Sequence, residues 1–261
     1  NVTGIRLDTH AERIACQTCH IPSYARGGVA AKMRWDLSTA GRLRDGKPYA
    51  EKGYVQGDGT HRKTYLSKKG DFTYGEDVVP MYAWFDGQID YTTRQVKIDP
   101  EETVEINGFS GTPGAPDSRI WPFRIMEGRQ PYDAINRNLV ATQVYGPGTD
   151  TAYWVNFDWD ASIRHAMDYA GEPYSGVYDF IDTRMVWPIT HMVAPVEEAL
   201  GCEDCHTRDG RLEGIEGVYM PGRGYAPATL IGLFLFLSAI AGVFIHLGIR
   251  LATRSKGHGH D

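Results

Sequence analysis

CQTCH at residues 16–20 and CEDCH at residues 202–206 share one spacing of two cysteines and a histidine. In both segments these residues occupy positions i, i+3 and i+4, which lie on one face of a helix. Two thiols on that face can form thioethers with haem vinyl groups while the imidazole binds the iron, as in c-type haem attachment. The sequence therefore predicts two covalently bound haem c groups, held by Cys16, Cys19 and His20, and by Cys202, Cys205 and His206.

These two motifs contain all four cysteines of the chain, so no thiol remains for a disulfide framework. A zinc site of four cysteines is one alternative, but the pairs are far apart and each has its own adjacent histidine. A thioredoxin-like redox pair would follow a strand in a compact α/β pattern, which the flanking sequence lacks. Chance could produce one such motif, yet it does not explain two that use every cysteine.

Local signals predict a short helix that ends at each motif. Residues 9–12 have the form of a capping box ahead of the first motif, and Pro22 stops the helix just after it. Before the second motif, Pro195 suits a first helical turn, and Glu197 and Glu198 favour its positive end.

A haem iron that only transfers electrons needs a second axial ligand, whereas one that binds a substrate keeps an open position. The candidates for that ligand are His10, His61, His165, His191 and Met126. His191 is the strongest, since it lies in residues 187–192 just before the second motif. His10 is too near Cys16 to reach the other face of the same haem, and we expect it to serve a neighbouring haem, for example on another chain. Met126 is better explained as a core side chain, and any single histidine could equally be a surface residue.

A long apolar stretch near the C-terminus predicts one membrane crossing. Residues 228–249, ATLIGLFLFLSAIAGVFIHLGI, contain no charged side chain, and roughly 20 apolar residues span a bilayer. Tyr225 suits the membrane interface, and Arg250, Arg254 and Lys256 follow the stretch, which places the tail in the cytoplasm. We therefore expect an extracytoplasmic dihaem domain (1–224), a transmembrane helix (225–250) and a cytoplasmic tail (251–261), in a bacterial cytoplasmic membrane with the main domain on the periplasmic or extracellular side. A buried core helix would need more polar surface than this one has.

His246 lies near the cytoplasmic end of this stretch. An ionisable residue in a membrane span is a functional hypothesis, although one near the end can also reach the interface. A haem b held together with a partner's helix is the functional alternative.

Composition argues against nucleic acid as a partner. The formal net charge is −6, and no run of basic residues interleaved with aromatics occurs, whereas a phosphate-binding protein needs a clustered basic surface. Between the motifs, residues 91–98 and 103–106 partly alternate and predict short strands or extended segments, while Gly- and Pro-rich breaks at 108–116 and 146–148 interrupt the pattern. The expected fold is that of a multihaem cytochrome c: mostly irregular α+β with short helices that carry the haem motifs, plus one C-terminal transmembrane helix.

Several longer segments resemble the octahaem tetrathionate reductase family of multihaem c-type cytochromes. The matching segments are CQTCHIP (16–22), KGDF (69–72), YAWFDG (82–87), GRQPYD (128–133), WPITHMVAP (187–195) with CEDCH (202–206), and YMPGR (219–223). The similarity covers nearly all of the chain before the apolar stretch. It is limited to the C-terminal portion of such proteins, to which this chain adds a membrane helix.

This resemblance implies site residues but not catalysis. Family members carry eight haems, and their substrate haem has lysine in place of the usual histidine ligand, whereas this chain has two haem motifs and no C-x-x-C-K. The resemblance implies that His20 and His206 are proximal ligands and that His191 is a distal ligand. Any further haems would belong to a partner chain or to sequence upstream of residue 1.

Two functions from different classes follow from these patterns. We expect an electron-transfer subunit that relays electrons between an integral membrane quinone-reactive or cytochrome b subunit and a multihaem cytochrome c partner outside the membrane. The alternative is part of a split reductase that acts on tetrathionate, nitrite or hydroxylamine. A third hypothesis makes the middle region an assembly surface and the apolar helix a simple anchor.

Overall fold

The computed structural model describes residues 2–146, 150–207, 209–218 and 226–256. The chain forms two compact units: residues 1–201 with 215–217, and residues 202–214 with 218–261. The helices are α1 (Val2–Arg13), α2 (Cys16–His20), α3 (Tyr153–Asn156), α4 (Trp159–Ala170), α5 (Cys202–Cys205) and α6 (Ala226–Lys256), with 3-10 turns at Leu37–Thr39 and Val196–Glu198. The strands are β1 (Ala31–Asp36), β2 (Leu43–Arg44), β3 (Lys47–Pro48), β4 (Ala50–Glu51), β5 (Tyr54–Val55), β6 (His61–Arg62), β7 (Tyr65–Leu66), β8 (Gly70–Gly75), β9 (Met81–Phe85), β10 (Ile89–Tyr91), β11 (Val104–Glu105), β12 (Asn107–Phe109), β13 (Arg119–Asp133), β14 (Asn138–Leu139) and β15 (Tyr178–Pro188).

A nine-stranded mixed sheet is the frame of the first unit. Its order is β11-β15-β13-β1-β8-β7-β4, and β9 and β14 also pair with β13. Strand β13 has 15 residues, which is long for a strand. It pairs antiparallel with β15 over residues 123–133 and in parallel with β1 over residues 127–129. A Cβ at Gly128 would lie 2.7 Å from Thr183 Oγ1, so a side chain there would collide with β15.

Helix α4 is specified by both its ends and its apolar face. The Asp158 carboxylate accepts a hydrogen bond from the Ala161 amide at 3.1 Å, and Gly171 ends the helix in a left-handed conformation. Ile163 and Met167, one turn apart, are fully buried in a cluster with the stacked rings of Tyr153 and Trp159.

A second apolar cluster lies next to the first cysteine motif. It consists of Ile21, Tyr24, Ala25 and Ile189, all at most 4% exposed. Ile189 also donates its amide to the Pro122 carbonyl on β13 at 2.9 Å. The cluster therefore fixes the chain that follows the first motif against the end of β15.

The expectation of a mostly irregular middle region is wrong, because residues 31–188 contain the whole nine-stranded sheet. The prediction of a strand or extended segment over 91–98 is also wrong for most of its length, since β10 ends at Tyr91. Beyond it the Val96 amide donates to the Thr93 carbonyl and closes a turn. The predicted strand over 103–106 is shorter than expected, because only Val104 and Glu105 belong to β11.

Asp133, at the end of β13, is fully buried and stabilises the turn that follows it. Its carboxylate accepts hydrogen bonds from the backbone amides of Ile135, Asn136 and Ser175, and from the Ser175 hydroxyl. Burial raises the pKa of Asp133, but the hydrogen bonds from Asn136 and Ser175 outweigh it, so the pKa is lowered overall. Because the folded-state pKa is below the unfolded value of about 3.9, the stabilisation is complete above that pH and is lost as pH falls through the folded pKa.

We expect Asp133→Asn to lower the free energy of unfolding by about 3 kcal/mol at pH 7, because an amide cannot accept all of these hydrogen bonds. The difference from wild type should shrink below about pH 4, where the wild-type carboxyl also becomes protonated. Urea unfolding at several pH values measures it, with the exposed Asp90→Asn as the matched control. Equal losses for the two variants at pH 7 would contradict the role assigned to Asp133.

Helix α6 has the length and composition to cross a membrane. Within its residues Pro227–Thr253, an 18-residue stretch has a mean hydropathy of 2.5, and none of that stretch is buried. At 1.5 Å per residue these 27 residues extend about 40 Å, which exceeds the hydrocarbon core of roughly 30 Å. The helix ends later than the predicted 225–250, because residues 251–256 continue it to Lys256. Tyr225 and the tail 257–261 lie outside the described residues.

Candidate functional site

The first motif forms one helical turn that is anchored to the central sheet. Cys16–His20 is helix α2, and Thr18 between the cysteines is fully buried. The Thr18 hydroxyl donates to the Ile120 carbonyl on β13 at 2.7 Å, which the Ala15 amide also reaches at 3.0 Å. Thr18 thus faces the sheet, while Cys16 is exposed and Cys19 and His20 are half-buried.

The helix that carries this motif begins later than the sequence predicts. Residues 9–12 do not form an N-cap, because α1 runs through them to Arg13. The chain is then extended at Ile14, which pairs in parallel with Ile120, and a new helix begins at Cys16. Pairing with the sheet interrupts the helix, and His10 therefore lies on α1 rather than on the helix of the motif.

Residues 189–200, which we call the return segment, lead from β15 back to the first motif. The Ala194 amide donates to the His20 carbonyl at 2.7 Å, and the Leu200 amide donates to the Cys19 carbonyl at 2.9 Å. These bonds satisfy carbonyls that a helix C-terminus leaves without intrahelical partners. An ion pair between Arg26 and Glu198 adds a side-chain link. The first motif and the return segment are therefore one hydrogen-bonded assembly.

The second motif also forms a single helical turn. Cys202–Cys205 is helix α5, and the His206 amide continues it by donating to the Cys202 carbonyl at 2.8 Å. The Arg211 amide donates to the Asp204 carbonyl at 2.8 Å. The predicted helix start at Pro195 is wrong, because the turn Val196–Glu198 is a separate 3-10 helix.

His191 lines a cavity of about 300 Å³ at the start of the return segment. Its other walls are Arg124 and residues of the segments 24–31 and 187–192 that are almost all apolar or aromatic. Two of the lining residues, Ala25 (φ +58°) and Met192 (φ +70°), have left-handed backbone. Such conformations cost roughly 1–3 kcal/mol and cluster at functional sites. The left-handed backbone of Met192, next to His191, therefore agrees with a fixed orientation of the His191 imidazole.

The other predicted ligands do not line this cavity. His10 is in the last turn of α1, His61 is exposed on β6 and His165 is exposed on α4. Met126 is on β13 opposite Met185 of β15, half-buried. Sequence reasoning did not find Tyr24 and Arg124, because no local pattern links them to residues 187–192.

The residues present fit haem c. Each motif places its cysteines and histidine within one turn, and the four cysteines, all among the described residues, form no disulfide. His191 is itself exposed, and its imidazole at the edge of an apolar, aromatic-walled cavity could reach a haem iron as a distal ligand. Cys16, Cys19 and His20 would hold one haem, and Cys202, Cys205 and His206 the other.

Comparison with known proteins supports the same cofactor. The family described as cytochrome c bacterial matches residues 32–209. A solved structure, the octaheme cytochrome c from Shewanella oneidensis, superposes with a TM-score of 0.70 at 34% sequence identity over 83% of this chain. The matched region is 49% of that solved chain, so this chain spans about half of its length. A comparison with curated proteins finds no match. The cysteine motifs, the fold and both similarities agree: the chain belongs to the bacterial cytochrome c family and is a multihaem c-type cytochrome.

Proposed function

We propose that this chain is a membrane-anchored electron-transfer subunit with two covalently bound haem c groups. It relays electrons between an integral membrane quinone-reactive or cytochrome b subunit and a multihaem cytochrome c partner on the periplasmic side. The observation that carries the proposal is the pair of C-x-x-C-H turns, one of them hydrogen-bonded to the return segment that contains His191. Haem c supplies one-electron oxidation and reduction when bound.

The residues of the chain bind and orient the cofactor rather than perform chemistry on a substrate. The cysteines fix each haem covalently, His20 and His206 bind the iron from one side, and His191 binds one haem from the other side. A haem with two protein ligands keeps no open position for a substrate. This arrangement favours relay over catalysis, and the cavity beside the exposed His191 gives the haem apolar and aromatic surface to pack on.

The solved relative and helix α6 support the two proposed partners. That relative is an octaheme protein of which this chain covers about half, whereas this chain has two haem motifs. Further haems would then belong to a multihaem partner or to sequence upstream of residue 1, and the proposal takes the first of these. The apolar helix α6 supports the membrane-side partner, because it has the length and composition of a membrane span.

Low-temperature electron paramagnetic resonance of the purified, oxidised complex tests this function. We expect both haems of this chain to be low-spin and to keep their spectra when nitrite, hydroxylamine or tetrathionate is added, because the relay proposal requires both axial positions of each haem to be filled. The signals of this chain are those that disappear when its cysteine motifs are removed. A high-spin signal of this chain that shifts on ligand addition would instead favour the split-reductase alternative.

A further inference from the structure

Arg124 on β13 lines the His191 cavity and has an unused hydrogen-bond donor. Its Nη2 donates to the Lys32 carbonyl. Its Nε is buried and has no acceptor among the described residues, and no described carboxylate lies within 4 Å of the guanidinium. A buried charged donor without an acceptor costs free energy, so it calls for an anionic partner that the chain itself does not provide.

The surroundings of Arg124 are positively charged. Burial lowers the pKa of Lys32, and the neighbouring charges of Lys69 and Arg124 lower it further. The Lys32 ammonium lies 3.9 Å from the centroid of the Phe72 ring, a cation–π contact, rather than beside a carboxylate. Neither lysine forms an ion pair among the described residues. This corner of the sheet therefore holds three cationic side chains and no counter-ion of its own.

The cavity combines three features that together select one class of ligand. His191 offers an imidazole, Trp187, Tyr24 and Ile189 offer apolar and aromatic surface, and Arg124 offers a buried cation. A flat, mostly apolar group with carboxylates on one edge satisfies all three, and haem with its propionates is such a group.

We propose that Arg124 pairs with a propionate of the haem that His191 ligates and raises the reduction potential of that haem. This inference rests on the proposed function, which makes His191 a distal ligand. Reduction adds one electron to the iron, and a nearby buried cation stabilises the more negative, reduced state. Arg124 is thus a positioning and potential-setting residue rather than a ligand to the iron.

A redox titration of the purified holo complex, followed by visible and paramagnetic resonance spectra, tests the inference. We expect Arg124→Gln to lower the midpoint potential of one haem, with roughly a tenfold change in its oxidised-to-reduced ratio at fixed potential, or about 59 mV for one electron. Arg124→Lys keeps the charge and should stay close to wild type. Arg164→Gln is the matched control, since Arg164 is an exposed arginine paired with Asp160 on α4, and it should change no potential.

Two further variants separate the possible failures. His191→Ala should convert one haem from low-spin to high-spin; if every haem signal stays as in wild type, the ligand assignment fails and the inference fails with it. If His191→Ala changes a haem while Arg124→Gln leaves all potentials unchanged, the inference alone is overturned. Should Arg124→Gln not assemble, Arg124→Met serves in its place. We expect a shift in the same direction, and an unchanged potential would overturn the inference.

Discussion

A chain in which Cys202 and Cys205 are both alanine should carry one covalent haem fewer than wild type. The same loss is expected for Cys16 and Cys19, and a chain without all four cysteines should carry no covalent haem, because a thioether requires a thiol. Each motif is its own helical turn, α2 or α5, so we expect the two losses to be independent. Absorbance of the pyridine haemochrome and the mass of the intact chain give the number of haems per chain.

The controls for this prediction are direct because the chain has no other cysteine. Gln17→Ala alters the first motif between its cysteines and should keep both haems, since it removes neither a thiol nor the histidine. Metal analysis of the same samples separates haem from the zinc alternative. Iron should fall in steps with the cysteine pairs, whereas loss of zinc with unchanged iron would show that the cysteines form a zinc site instead.

The haem motifs could be predicted from sequence because their chemistry is local. Positions i, i+3 and i+4 lie on one face of any helical turn, whatever surrounds it. The length of the helix could not be predicted in this way. Its start depends on the pairing of Ile14 and Ala15 with Ile120, more than 100 residues away, and that pairing overrides the capping pattern at residues 9–12.

The sheet could not be predicted from the sequence, because its paired strands are distant in the chain. Its central strand, β13, also lacks a regular alternation of apolar and polar residues. Strand β13 contains Pro122, Gly128 and Pro131, which argue against a strand when the sequence is considered alone. Its parallel pairing with β1 joins Arg34 to Glu127, 93 residues apart. Such a register depends on packing between distant segments, which the sequence pattern of either strand does not contain.

In the candidate site, too, residues close to a motif in sequence could be predicted, whereas residues that only the fold brings together could not. His191 could be chosen from sequence because it precedes the second motif closely. Arg124 and Tyr24 could not, because the cavity forms only when β13, the end of β15 and the chain after the first motif come together. The buried Nε of Arg124 is a property of that assembly and has no counterpart in the sequence around it.

Deletion of residues 227–256 should move the protein from the membrane fraction to the soluble fraction. Between residues 228 and 249 the helix has 13 Leu, Ile, Phe and Val residues. At about 0.3–0.6 kcal/mol each, they favour insertion by roughly 4–8 kcal/mol before polar residues are counted. Carbonate extraction followed by haem staining measures the distribution. Haem staining that stays with the membrane after the deletion would mean that a partner, rather than this helix, holds the chain there.

The same variants decide whether α6 is only an anchor. Under the relay proposal, the deletion should abolish reduction of the c haems by quinol and leave their reduction by dithionite intact, because the soluble chain no longer meets its membrane partner. Replacement of residues 227–253 by an unrelated apolar helix restores anchoring without the native side chains. If quinol reduction returns, α6 acts as an anchor, and if it does not, the native surface of α6 takes part in the relay.

His246→Phe then distinguishes the two ways in which that surface can act. Loss of a haem b spectrum from the complex would place a ligand at His246, and an unchanged spectrum would assign the effect to partner contacts.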